Sequence, residues 1–299
     1  MGTFCIATPR SRDARDDAAR RRASSLMGKK PAPRDDARDA PSNASRVSHT
    51  GVKDLAKFKR KKFGVDPAAC TMFIRQWSWK REMKSDKERF EDEYTYPSTS
   101  GSTRITLRQA RYEAGRAHGF ASTVWDSAVV LAKYLERARP RVGNALELGA
   151  GCGLVSCVLS AICGVPNVVA TDLEGNVPLL RENAARNAPS ATTRALRWGE
   201  DAADILPKGA TSFDLIVASD VVYVEELVPD LVRTLTRFSE PGKTRVVFAY
   251  GRNRQALETL LKCASEAGFS APRQISKTEE CDELWTCTDV DLIEFHRVT

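Results

Sequence analysis

The chain has 299 residues, 42% of them hydrophobic, and a formal charge of +7, enough material for one large or two small packed domains. Its charge is uneven: residues 1–62 hold 17 Lys and Arg against 7 Asp, and the remainder holds 29 basic against 32 acidic residues. No stretch approaches the apolar length of a membrane span, the eight cysteines form no CxxC pair, and the three scattered histidines make no triad or metal cluster.

Residues 1–62 alternate Arg, Asp and Ala with few large apolar side chains. Such a segment cannot offset its ordering entropy and reads as a disordered basic tail. Its end, Lys57–Gly64 (KFKRKKFG), reads first as a solvated charge run at a domain boundary. The second reading is a weak contact for nucleic acid or an anionic surface, or a nuclear import signal. Seven acids in the tail argue against an organelle transit peptide, and Ile6 stands where N-myristoylation requires Ser or Thr. Cysteines without a disulfide framework point to a reducing, intracellular setting. The expected location is the cytoplasm, with the nucleus as a further site.

Residues 63–121 read as an accessory region. EYTYP and TRITLRQ alternate around STSGS, which predicts a β-hairpin, and Trp77 and Trp79 lie two apart, as on one strand face. From 122 to 299 strand and helix patterns alternate. STVWDSAVVLAKYLERA predicts an amphipathic helix opened by a Ser/Thr cap. ALELG (Ala145–Gly149) predicts a buried strand and GLVSCVLSAICG its helix; NVVATD (Asn167–Asp172) and NVPLLRENAARNA repeat the pair. TTRALRW (Thr192–Trp198) and FDLIVASDVVY (Phe213–Tyr223) predict strands three and four, with the helix VPDLVRTLTRF after the fourth. TRVVFAYG (Thr244–Gly251) and RQALETLLKCASEAG form a fifth unit, and PRQISK and DLIEFHRV two closing strands. The expected fold is therefore α/β: a doubly wound, mostly parallel seven-stranded sheet of Rossmann-like type, with one antiparallel strand and an N-terminal hairpin extension. Ligands of such sheets bind at the carboxyl ends of the strands, beside the point where strand order reverses.

The glycine turn in LELGAGCGLVS (Leu146–Ser156) follows the first strand at that end. A triphosphate loop needs Gly-Lys-Ser/Thr, and no Lys follows these glycines. A dinucleotide fingerprint needs a small residue where Leu154 stands. The spacing Glu147-x-Gly149-x-Gly151-x-Gly153 instead suits a ligand whose amino-acid portion lies against the turn. S-adenosyl-L-methionine fits, having no pyrophosphate to seat on a helix N-terminus, and Glu147 joins the candidate cofactor residues. Asp172, ending the second strand, stands where a carboxylate accepts both ribose hydroxyls; capping the next turn is the alternative. Trp198 follows the third strand where a purine face would lie, with core packing as the alternative.

With these residues assembled, STVWDSAVVLAKYLE, LELGAGCGLVS, VVATDLEGNVPLLRENAARN and FDLIVASDVVYVEEL resemble the seven-β-strand protein-lysine methyltransferases, methyltransferase family 16. The resemblance runs from about Thr106 to the C-terminus and implies a class I methyltransferase domain over 122–299. It implies S-adenosyl-L-methionine as cofactor, held by Trp125, Gly149, Ala150, Gly151, Asp172, Trp198 and Ala218. It further implies Asp220 and Tyr223, an Asp-x-x-Tyr pair, at the catalytic end. The methyl acceptor it implies is a lysine of a non-histone protein, such as a chaperone, an ATPase or a translation factor. The tail and the residues up to about Arg104 match nothing in the family pattern.

A free lysine is mostly ammonium at neutral pH, and removing its proton costs roughly 4.6 kcal/mol. On this reading Asp220 anchors the incoming ammonium first and accepts its proton second, while Tyr223 walls the channel or supports Asp220. Glu225 and Glu226 either attract a basic substrate segment or simply open the next helix. SDVVY lacks the two prolines expected of an enzyme acting on adenine or glutamine nitrogen, and the catalytic part is mildly acidic. Both features argue against nucleic acid as a partner of the core. Methylation of histidine, arginine or a small molecule stays open, as does a non-catalytic module that keeps the cofactor fold to hold a partner. No metal is expected.

Overall fold

The computed structural model describes residues 92–99, 101, 103–110, 119–251, 256–276, 280 and 290–298. The basic tail, the Lys57–Gly64 run and the Trp77/Trp79 region lie outside the described residues.

Strands β1 (Glu93–Tyr96) and β2 (Ile105–Arg108) pair antiparallel and form the expected hairpin. Seven further strands build one sheet: β3 (Asn144–Leu148), β4 (Asn167–Asp172), β5 (Thr192–Ala195), β6 (Leu215–Ser219), β7 (Arg245–Tyr250), β8 (Arg273–Gln274) and β9 (Asp291–His296). Their order is β5-β4-β3-β6-β7-β9-β8. Strands β3 to β7 run parallel, and β9 is antiparallel to both β7 and β8. The chain winds outward from β3 to β5, then returns to lay β6 on the other side of β3. That reversal opens a crevice above the carboxyl ends of β3 and β6.

Period-two alternation sorts the core into two layers. Ala145, Leu215, Val217, Val247 and Leu292 face a layer shared with helices α1 (Asp126–Ala138) and α2 (Leu154–Cys157) and with the hairpin residues Tyr96, Ile105 and Leu107. Leu146, Leu148, Ile216, Val246, Phe248 and Phe295 face helices α4 (Val228–Phe238) and α5 (Leu257–Glu266). Helix α3 (Val177–Asn187) lies on the first side with Leu179, and α2 widens into a π-helical turn over Val158–Ile162.

Three local expectations need correction. No Ser or Thr caps α1: its N-cap is Trp125, without a side-chain hydrogen bond, and Ser122 closes a short 3-10 turn upstream. Ser122 and Thr123 are both buried, so they form part of a wall rather than a helix end. Strand β5 stops at Ala195, leaving Trp198 in the following loop, and β6 is shorter than the apolar run containing it. Only a 3-10 turn (Ala203–Ile205) stands where a third crossover helix would be.

The hairpin docks through buried polar contacts. Glu136, 3% exposed on α1, accepts hydrogen bonds from the Tyr96 hydroxyl (2.8 Å), the Ser98 hydroxyl (2.6 Å) and the Thr99 amide (2.9 Å). Lys133, one turn earlier, donates to the Pro97 carbonyl and lies 4.9 Å from the centre of the Tyr96 ring. The pairs Arg108–Glu182 and Arg186–Glu93 are about half exposed, where an ion pair contributes only about 0–1 kcal/mol. Burial, the Glu136 cluster and the α3 side-chain bonds to β2 therefore hold the hairpin in place.

Candidate functional site

A cavity of about 620 Å³ opens at the crevice between β3 and β6, a volume suited to a nucleoside-sized ligand. Trp125, Gly149, Ala150, Gly151, Asp172, Trp198, Asp220 and Tyr223 all line it, so the structure brings together eight of the ten candidate residues.

The glycine turn is bare for more than one reason. Gly149, Gly151 and Gly153 have φ of +67°, +55° and +82°, a region that side chains disfavour. A Cβ at Gly149 would meet Val221 at 3.0 Å and the Trp198 indole at 3.6 Å; one at Gly151 would meet the Ala121 carbonyl at 3.0 Å. Gly153 faces away from the cavity, and a Cβ there would stand 2.6 Å from Leu180. Two glycines thus shape the wall, and the third lets α3 pack beneath it.

Asp172 is fixed by three donors. Its Oδ2 accepts from the Gly151 amide at 2.7 Å, and its Oδ1 accepts from the Leu173 amide at 2.7 Å and Asn176 Nδ2 at 2.6 Å. Charge-assisted bonds are worth about 1.5–3 kcal/mol each, so the carboxylate is held in place at the end of β4. The Asn176 Oδ1 is buried without a hydrogen-bond partner, on a residue that lines the cavity. An orphaned acceptor beside a fixed carboxylate suits a donor pair such as two ribose hydroxyls. Sequence reasoning missed Asn176; its signal was an Asn placed to cap α3, which in the structure makes no capping bond.

Trp198 is held over Gly149 by its loop. The Leu196 amide donates to the Asp172 carbonyl at 2.8 Å, and the Gly199 amide to the Thr234 hydroxyl of α4, also at 2.8 Å. The ring presents a flat apolar wall one layer above the glycine turn, as a purine requires. On these observations the residues present fit S-adenosyl-L-methionine: a cradle that a Cβ would fill, an unpartnered buried acceptor and an aromatic wall.

Asp220 stands at the other end, just past β6, with φ +53°, one of two non-glycine residues with positive φ among those described. Its backbone is pinned by the amide's bond to the Ala249 carbonyl (2.9 Å), and its Oδ1 accepts from the Gly251 amide (2.9 Å). Burial pushes its carboxyl above the usual aspartate value, the Ser127 hydroxyl and Gly251 amide pull it back, and the Asp126 carboxylate raises it again. Ser127 sits beside the carboxylate, 1% exposed and without a close hydrogen bond of its own. Tyr223 is 42% exposed at the cavity mouth.

Two candidates stand outside the cavity. Ala218 is fully buried in β6, paired with Leu148 and Phe248, and sits beneath the lining residue Ser219. Glu147, 1% exposed, points from β3 at α2, where it accepts from the Ser156 amide at 2.8 Å and from the Ser156 hydroxyl. Gly153, the N-cap of α2, has no side chain to offer, and the strand supplies the missing carboxylate. Burial pushes the Glu147 carboxyl up to about 7. The placement of Glu147 supports a structural role and not the cofactor contact expected from its spacing.

Residues 106–267 match a family model described as lysine methyltransferase. A protein of Danio rerio named protein N-lysine methyltransferase METTL21A is 35% identical over 204 residues, which cover 62% of this chain and 91% of that protein. A protein of Xenopus tropicalis named EEF1A lysine methyltransferase 3 is 30% identical over 176 residues, 57% of this chain and 75% of that protein. Among solved structures, the CcbJ methyltransferase of Streptomyces caelestis is a distant likeness, with 14% identity, a TM-score of 0.44, and coverage of 60% of this chain and 92% of that one. The family match takes in the glycine turn, Asp172, Trp198 and Asp220 together. The chain therefore belongs to the lysine methyltransferase family and is an S-adenosylmethionine-dependent protein-lysine methyltransferase.

Proposed function

We propose that this enzyme methylates a lysine carried on a basic segment of a non-histone protein, with Asp220 and Tyr223 at the reacting end of the cavity. Asp172, Asn176, Trp198, Trp125 and the Gly149–Gly151 turn would hold the cofactor, which when bound supplies a methyl group on a positively charged sulfur. The observation that carries the reading is the Asp220 carboxylate, fixed on a left-handed backbone at a cavity mouth and facing no cation within the described contacts.

Asp220 gives the incoming ammonium an anchor and so aligns its nitrogen. The same negative charge works against deprotonation, since an opposite charge favours the ammonium form. Burial offsets part of that penalty. A carboxyl held above its ordinary value is a better proton acceptor, and the gap to a lysine narrows. Asp220 is then a positioner first and an acceptor second. At the mouth, Tyr223 and Leu227 are each 42% exposed, and Glu226 lies between them in sequence. Acid and apolar surface together suit a segment with a basic residue and an apolar one near the target lysine. Glu225 is engaged by the Thr259 hydroxyl, which leaves Glu226 the better candidate for attracting a basic partner.

The relative named for EEF1A makes that protein the first substrate to try. For location we retain the cytoplasm, with the nucleus in addition, and for the basic tail a weak anionic contact. The test uses tritiated methyl-S-adenosylmethionine, a cell extract and the Asp220→Ala variant in parallel, followed by acid hydrolysis. Label should appear as methyl-lysine in a discrete protein band and vanish with the variant. Label in methyl-histidine or methyl-arginine, or an undiminished signal from Asp220→Ala, would overturn the reading.

A further inference from the structure

Helix α3 presents Asn183 and Asn187, one turn apart, to the outer edge of β2. Four residues of helix rise about 6 Å and two residues of strand span about 6.6 Å, so two carboxamides on a helix meet alternate peptides of a strand nearly in register. Asn187 accepts from the Thr106 amide at 2.8 Å and donates to the Thr106 carbonyl at 3.0 Å. Asn183 does the same for Arg108, at 2.7 Å and 2.9 Å. The two side chains act as a false neighbouring strand and close the hairpin's open edge.

Asn183 makes one bond more. Its Nδ2 also donates to the Cys152 carbonyl at 3.0 Å. Cys152 lines the cavity between Gly151 and Gly153, whose φ values are both positive. A buried carbonyl deprived of its donor seeks another partner, and the flanking glycines offer little steric resistance to its turning. Asn183 itself is fully buried, so no water can substitute from bulk.

We propose that Asn183 is a positioning residue for the cofactor turn: its single carboxamide ties β2 of the hairpin to the Cys152 peptide and holds the turn in its binding conformation. Thr106 and Arg108 open the stretch that matches the family, and β1, which precedes it, pairs with β2. The inference rests on the reading of the cavity as the S-adenosylmethionine site.

The experiment compares full-length wild type, Asn183→Ser and Asn187→Ser by titration calorimetry with S-adenosyl-L-methionine, and by thermal unfolding without it. Both variants should lower the unfolding midpoint, because both unclamp β2. Only Asn183→Ser should weaken cofactor binding more than tenfold, with Asn187→Ser staying within twofold of wild type. Equal losses in the two variants, or near-wild-type affinity in Asn183→Ser, would overturn the coupling and leave Asn183 a purely structural residue. If Asn183→Ser does not fold, Asn183→Gln, with its donors one methylene further out, is expected to show the same split and is judged by the same limits. Asp172→Ala separates the two levels: unchanged affinity there overturns the cavity reading, whereas lost affinity there with intact binding in Asn183→Ser overturns only the coupling.

Discussion

Asp220 joins an unfavourable backbone to an unfavourable charge. A left-handed φ costs a typical side chain about 1–2 kcal/mol, and Asp and Asn tolerate it better than most. Asp220→Asn therefore removes the charge while keeping a residue suited to the turn. We expect it to fold within about 1 kcal/mol of wild type, bind S-adenosylmethionine normally and lose roughly 30-fold or more in kcat/KM. Titration calorimetry with steady-state kinetics separates the two effects. The pH dependence is set by the direction of the shift. Burial and the neighbouring Asp126 hold the Asp220 carboxyl above the ordinary aspartate value, and in the proposed role the charged form is the one that would anchor an ammonium. Activity should rise with pH through that raised value, and Asp126→Asn should move the acid limb of kcat/KM to lower pH. An unmoved limb would show that another group sets it. At the opposite end of the cavity Asn176→Ala removes one donor to Asp172 and the orphaned Oδ1 together. Cofactor affinity should fall about tenfold, with kcat at saturating cofactor changed little.

At the scale of elements, β3 delivers the glycine turn, and Glu147 on the same strand secures the start of α2. The folded state holds a proton on Glu147 up to about pH 7, whereas an unfolded glutamate releases it near 4.5. Between those values the native state binds more protons than the unfolded chain, so this group's contribution to stability falls as pH rises. Glu147→Gln keeps an acceptor for the Ser156 amide and removes the titration. It should match wild type near pH 4.5 and exceed it at pH 8 by on the order of 3 kcal/mol in denaturant unfolding. A variant less stable than wild type at pH 8 would mean that the charged cap outweighs its desolvation. This group also marks where sequence reading stopped. The strands were legible as spaced apolar runs, Asp172 as an acid ending a strand where ribose or a turn cap would use it, and Asp220 only through the family resemblance. An acid inside a buried strand reads equally well as a ligand group, since nothing local announces that Ser156 will come to meet it. Asn183 looks like an ordinary polar helix residue until β2, 75 residues away in sequence, lies against it. Trp198 was assigned to a strand that ends three residues earlier, and in the structure its ring stands over the glycine turn.

On the scale of the whole molecule, the enzyme separates its charges along the chain. Residues 1–62 carry a net +10, and the rest a net −3. Among the described residues, every one lining the cavity lies between Ala121 and Asp230. Catalysis on a short lysine peptide is therefore expected to need nothing from the tail, while attraction to an anionic surface or a large acidic partner would draw on it. Such attraction is screened over about 8 Å at physiological salt, so the two roles separate by ionic strength. Deleting residues 1–62 should leave kcat/KM for a short peptide within twofold of the full chain at both 50 and 300 mM salt. The full chain should bind anionic vesicles or RNA at 50 mM salt and release them at 300 mM, and the shortened chain should bind neither. A loss beyond about fivefold on the peptide would place part of the tail in the catalytic machinery, and salt-dependent binding that survives the deletion would assign the anionic contact to the folded core.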